Sequence, residues 1–158
     1  MGAWGYKALE SDEGLDVVNF LEDFIQNHSN AGHIQLSEIV AAMKNSGFFG
    51  ETYEEIDFFY DTCAIALTEL YIMYLDNGEF TNLESVSGKV SSFTADKGAL
   101  TFLLRYLTDI RDEVPESDDT REIIDLWRDS ESWAEWKANL EFLIARVEKE
   151  LSHFSKTT

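Results

Sequence analysis

The sequence predicts an all-α fold, a single-domain bundle of five to seven helices with a long central helix at about residues 52–76. Three observations carry that expectation. One proline and nine glycines among 158 residues leave long stretches free to be helical. Apolar residues recur at spacings of three and four in several segments, each opened or closed by a helix boundary signal. A hydrophobic fraction of 44% with 13% aromatic residues supplies a real core. The length is that of one domain able to bury most of its apolar surface. No repeat or linker divides it, so residues 1–158 read as a single acidic helical domain.

The first helix is expected to begin near Ser11 or Asp12, with Asp12, Glu13 and Asp16 complementing the positive end of its dipole. Leu15, Val18, Leu21 and Ile25 mark its inner face, and it ends near Asn27 to Gly32. A short second helix follows Ser37, turns Ile39, Val40 and Met43 inward and stops at Gly47. The third is the longest. Thr52 and Glu55 form a capping box, and Asp76-Asn77-Gly78 is a C-terminal signal. About 25 residues at 1.5 Å each give a rod of roughly 37 Å. Its broad face holds Ile56, Phe59, Cys63, Ala66, Leu67, Leu70 and Tyr74, which marks the central core helix.

Residues 79–96 support only a loop with a short helix or an extended piece, with Phe80, Leu83, Val86, Val90 and Phe93 among serines and threonines. The fourth helix runs from about Asp96 to Glu113 and is closed by Pro115. The fifth starts at Asp119, with Glu122 as capping partner, and buries Ile123, Ile124 and Trp127. The sixth opens at Ser132 with Glu135. Its apolar stripe runs from Trp133 and Trp136 through Leu140, Leu143, Ile144 and Val147 to Leu151 and Phe154.

Composition excludes several classes. A net charge of −19 repels nucleic-acid phosphates and anionic membranes, and it steers basic partners inward. The acidity is uneven, since residues 1–79 hold 15 acids against only Lys7 and Lys44. The single cysteine, Cys63, forbids an intrachain disulfide or cysteine zinc site and fits a reducing cytoplasm. The start lacks the charged and apolar regions of a secretory signal, and Tyr6 stands where a myristoylation motif wants Ser or Thr. The apolar run from Cys63 to Leu75 is too short for a bilayer and contains Glu69.

The opening segment is unusual. A tryptophan framed by glycines, Gly2-Ala3-Trp4-Gly5, runs into Leu9-Glu10-Ser11-Asp12 and then Leu15-Asp16. Trp4 with Glu10, Asp12 and Asp16 has the makings of a ligand site, but a plug is the simpler role. There Trp4 packs into the bundle, Gly5 permits a close backbone approach, and Ser11 caps the first helix. The far end carries Leu126-Trp127-Arg128-Asp129-Ser130 and Trp136. Together these two blocks resemble the beginning and end of a bacterial family known only as a domain of unknown function, DUF4259. Leu9 and Ser11 depart from that family's usual phenylalanine and asparagine. The resemblance implies a small bacterial cytosolic protein and assigns no catalytic residue. It also suggests that Trp4, Trp127 and Trp136 meet in one core.

Catalytic and metal chemistry find little footing, and no cofactor is expected. The three histidines, His28, His33 and His153, form no His-Glu-x-x-His motif, and Glu150 with His153 supplies only one copy of a pair that a di-iron bundle needs twice. Glu116 to Asp119 lacks the glycine and terminal glutamate of a calcium loop. Cys63 lies on an apolar face, and no nucleophile elbow or phosphate-binding glycine loop is present.

One pattern departs from simple amphipathicity. Phe58, Ile65 and Ile72 recur every seven residues outside the main core face, in a sector shared with Asp57, Asp61, Glu69 and Asp76. Such a seam suits contact with a basic partner or a second copy of the chain. The alternative is cover by another helix of the same bundle. Glu69 then needs a partner, Arg105 or Arg111, or a raised pKa. The sequence therefore favours a non-catalytic protein-binding module, immunity-like or adaptor-like, with Phe58, Ile65 and Ile72 as anchors ringed by Asp57, Asp61 and Glu69. A metal-dependent or carboxylate-based hydrolase near the N-terminal block and a structural homodimer on the seam are the alternatives.

Overall fold

A 3-10 turn at Ala8–Glu10 leads into six α-helices and two short strands among the described residues. In order these are α1 (Asp12–His28), β1 (His33–Gln35), α2 (Leu36–Asn45), α3 (Phe58–Asn77), β2 (Ser92–Thr94), α4 (Lys97–Arg111), α5 (Glu122–Arg128) and α6 (Trp133–Ser155). The computed structural model describes residues 5–28, 32–52, 55, 57–80, 89–114 and 121–155. Trp4, Ile56, Leu83, Val86, Pro115 and Asp119 lie outside that set, as do the roles expected of them.

α3 is the axis of the fold. Every residue from Asp61 to Ile72 is buried, on all sides of the helix. A helix apolar all round belongs in the centre of a domain, and α1, α4, α5 and α6 all pack against this one. α3 is long and apolar enough to cross a membrane by length and composition, but 67% of that stretch is buried within the bundle. Cys63 is fully buried, and burial pushes its thiol pKa far up.

The helix starts later than Thr52 and Glu55 suggest. Glu55 turns back to accept from the Glu51 amide at 2.7 Å, while its own amide donates to the Thr52 carbonyl at 3.2 Å, closing a separate turn. Asp57 is the real N-cap, its Oδ1 accepting from the Phe59 amide at 2.8 Å. The C-terminal signal is where it was expected. Gly78 has φ +72° and donates its amide to the Tyr74 carbonyl, a left-handed cap that suits glycine.

α1 buries Val17, Val18, Leu21, Phe24 and Ile25, while Leu15 falls outside this stripe and is 42% exposed. α4 is capped by Asp96, whose Oδ1 accepts from the Ala99 amide. It buries Leu100, Leu103, Leu107 and Ile110 as the spacing predicts. α6 buries Trp136, Leu140, Leu143, Ile144 and Val147, with Trp133, Leu151 and Phe154 half-buried at its ends.

Nothing in the hydropathy pattern marked the parallel pair β1–β2, in which His33, Ile34 and Gln35 face Ser92, Phe93 and Thr94. The extended piece expected somewhere in residues 79–96 is β2. Phe93 meets Tyr71, Tyr74 and Phe80 at ring-centroid distances of 5.2, 5.9 and 5.7 Å, which pins this strand to α3.

Candidate binding site

The N-terminal segment is tied into the bundle by its backbone. Ser11 Oγ donates to the Ala8 carbonyl at 2.6 Å and accepts from the Gly14 amide at 3.0 Å, so it caps α1 while closing the 3-10 turn. A Cβ on Gly14 would overlap the Ala8 carbonyl, so the crossing of the turn over α1 needs glycine there. Glu10 folds back on the segment against Gly5, and its Oε1 accepts weakly from the Lys7 amide at 3.4 Å. Asp12 lies exposed in the first turn of α1.

Glu69 of α3 is the other fastening. Its Oε1 accepts from the Leu9 amide at 2.8 Å, and its Oε2 accepts from the Ala8 amide at 3.0 Å and from Asn139 Nδ2 at 2.8 Å. One carboxylate thus joins the N-terminal turn, α3 and α6. Burial pushes its pKa up to about 7, against the opposing pull of those three donors and of the Lys7 charge. Arg105 and Arg111, the partners expected from sequence, bond instead to Asp109 and Asp112.

Asp61 is held differently. Arg121 Nη1 donates to its Oδ1 at 2.7 Å, with both side chains at 3% exposure or less, and Arg121 Nε donates to the Val114 carbonyl. Burial still raises the Asp61 pKa to about 6 despite the arginine. The pair fixes the start of α5 to α3.

These contacts correct the expectation of an exposed heptad seam. Ile65 and Ile72 are 2% and 4% exposed, and Asp61 and Glu69 are buried with them. They are covered by the N-terminal turn, α5 and α6, because a helix at the centre of a bundle has no free side. A second copy therefore cannot dock on them. Asp57 is exposed but serves as the α3 cap. Phe58 alone of the three proposed anchors is only half-buried.

The seam nevertheless leads to a site. Residues 7–9 pack on α1 and α3 and border two hollows. The first is a cavity of about 160 Å³, walled by Tyr6 and Ala8 of the N-terminal segment and by Phe58 and Ile65 of α3. Ile123, Trp127 and Trp136 complete its apolar wall. Glu13, Glu122 and the 38% exposed Leu126 line it where it meets solvent. The second is a more polar cleft of about 320 Å³ that contains Lys7, Glu69, Ile72, Asn139 and the exposed Phe142. Asp76 also lines it and is held by Arg146 at 2.7 and 2.9 Å.

The three described tryptophans form a ladder beside the first cavity. Trp127 and Trp136 stack with centroids 6.0 Å apart, and Trp136 and Trp133 with centroids 5.6 Å apart. Trp4 lies outside the described residues, but its neighbours Tyr6 and Ala8 share the cavity with Trp127 and Trp136. The two ends of the sequence that carry the family resemblance meet here.

Residues 2–139 match the family model described as Domain of unknown function (DUF4259). The chain belongs to the DUF4259 family. The match begins in the N-terminal block and ends at Asn139, so it takes in Glu69 and all three of its donors. No curated protein and no solved structure matches the chain.

Sequence reasoning missed Asn139, Glu122 and Leu126 as parts of the site, and Arg121 as the partner of Asp61. Asn139 was within reach, since it follows Trp136 by three residues and so falls on the buried stripe of α6, where an amide needs a partner. Glu122 and Leu126 carry no such signal. Among the described residues no group of three His, Cys, Asp or Glu side chains lies close enough to hold a metal. His33 Nδ1 is engaged with Ser92 Oγ at 2.7 Å, and His153 is exposed on α6.

Proposed function

We propose that this DUF4259 protein is a non-catalytic binding module of the cytoplasm, and that its docking site is the cavity between the N-terminal block, α5 and Trp136. The observation that carries this reading is an open apolar hollow with Glu13 and Glu122 on its lining, in a chain of net charge −19. At about 160 Å³ it is smaller than the roughly 300–1,000 Å³ typical of small-molecule sites, and it suits a single side chain of a partner. The acidic field favours a basic partner and speeds encounter, while the fixed walls provide the anchor pocket. An immunity-like or adaptor-like role is the concrete form of this proposal. It keeps the partner chemistry expected from the sequence and moves the anchor from the seam itself to the hollow at its end.

Fluorescence anisotropy of labelled peptides tests it. Peptides alternating lysine or arginine with large side chains are expected to bind at about 50 mM salt and to weaken strongly at about 500 mM. Leu126→Lys, an exposed substitution that sets a like charge at the cavity, is expected to weaken binding tenfold or more, about 1.4 kcal/mol. Equal binding of acidic peptides, or indifference to Leu126→Lys, would count against the site.

A further inference from the structure

We infer that the group received by this cavity is an alkylammonium, the cationic end of a lysine side chain on the docked partner. The inference rests on the docking proposal above and gives the chemistry of the occupant.

Four aromatic residues from four parts of the chain line one small hollow, namely Tyr6, Phe58, Trp127 and Trp136. Aromatic faces carry negative charge density, and several rings around one cavity are how proteins recognise alkylammonium groups. The volume of about 160 Å³ equals roughly five waters at ~30 Å³ each, enough for an ammonium with its terminal methylenes or methyl groups.

Glu13 of α1 and Glu122 of α5 belong to the same lining, so two acidic side chains accompany the aromatic wall. The tryptophan ladder already attracts cations at its outer end, where Arg128 and Lys137 sit 5.7 and 5.8 Å from the Trp133 ring centroid. Lys7 is the lone basic residue among the described lining, and it also borders the second cleft, where its charge favours ionised Glu69. Its like charge opposes a cationic occupant.

Isothermal titration with choline and with its neutral isostere 3,3-dimethylbutan-1-ol separates cation recognition from simple hydrophobic fit. Choline is expected to bind saturably at low salt and at least about tenfold more tightly than the isostere. Glu122→Gln is expected to weaken choline several-fold, and Lys7→Gln to strengthen it. Trp127→Leu is expected to abolish binding, with circular dichroism checking the fold. Glu122 and Lys7 are exposed, so their variants carry the test even where Trp127→Leu fails to fold.

Equal binding of choline and the isostere, or no saturable choline binding up to about 100 mM, would overturn the inference. A peptide pair differing only in lysine or norleucine at the anchor distinguishes the two proposals. Equal affinity removes the cation and leaves the docking site standing. Binding of neither peptide removes the docking site, and choline bound alone then assigns the cavity to a small ammonium compound.

Discussion

At the scale of single residues, the fold depends on two buried carboxylates held in different ways, Asp61 through one oxygen only, its Oδ2 being buried without a hydrogen bond. Asp61 has a guanidinium partner, and Glu69 has three neutral donors. Arg121→Met leaves Asp61 buried without its cation, and urea unfolding is expected to show a loss of about 3–5 kcal/mol. Replacing Asp61 by leucine in the same chain is expected to return most of it, because the uncompensated charge is gone. The pH dependence follows from the raised pKa of Glu69, about 7, and of Asp61, about 6. Between their unfolded and folded values the native chain holds protons that the unfolded chain has released. Their contribution is complete below about pH 4 and is lost as pH rises through 6 to 7. The urea midpoint is therefore expected to fall between about pH 5 and pH 8, and less steeply in Glu69→Gln. A midpoint that rises over that range, or the same slope in the variant, contradicts the assignment. The sequence revealed half of this. A raised pKa was one expected fate of a covered Glu69. Its partners were not, because two of them are backbone amides, and their positions depend on the tertiary path of residues 8 and 9.

Whole elements were legible where burial is one-sided. α4 and α6 each turn one stripe to the core, and their periodicity marks both the stripe and the helix. α3 was harder, because a helix buried all round has no polar face to phase the pattern. Its surplus apolar positions, Ile65 and Ile72, therefore resembled an exposed seam. The start of α3 was placed early because Thr52 and Glu55 satisfy a capping pattern that the chain uses for a turn, leaving Asp57 to cap the helix. β1 and β2 are three residues each, too short for alternation to register, and they pair across the intervening α2 and α3. The N-terminal turn makes its own test. Gly14→Ala drives a methyl into the Ala8 carbonyl, a backbone atom that cannot swing aside. Thermal unfolding is expected to show destabilisation of about 1–3 kcal/mol, far from the gain usual for Gly→Ala in a helix. A neutral or stabilising result would mean that the turn does not cross α1 as closely as described.

On the scale of the whole molecule, the cavity draws part of its lining from the more negative half of the chain. The chain carries −19, and the net negative charge is concentrated in the half that supplies α1 and α3, where only Lys7 and Lys44 offset 15 acids. The cavity opens beside residues of that half, and α5 and α6 close it from the other. The charge and the aromatic content of both ends were readable from sequence. The cavity was not, because its walls come from the N-terminal segment, α3, α5 and α6, which are distant in the chain. Hydrogen–deuterium exchange with and without a bound lysine-rich peptide tests the docking proposal most directly. Slowed exchange confined to residues 6–13 and 122–136 is the expected result. Slowing instead around Leu75 and Phe142, with the cavity segments unchanged, would contradict it.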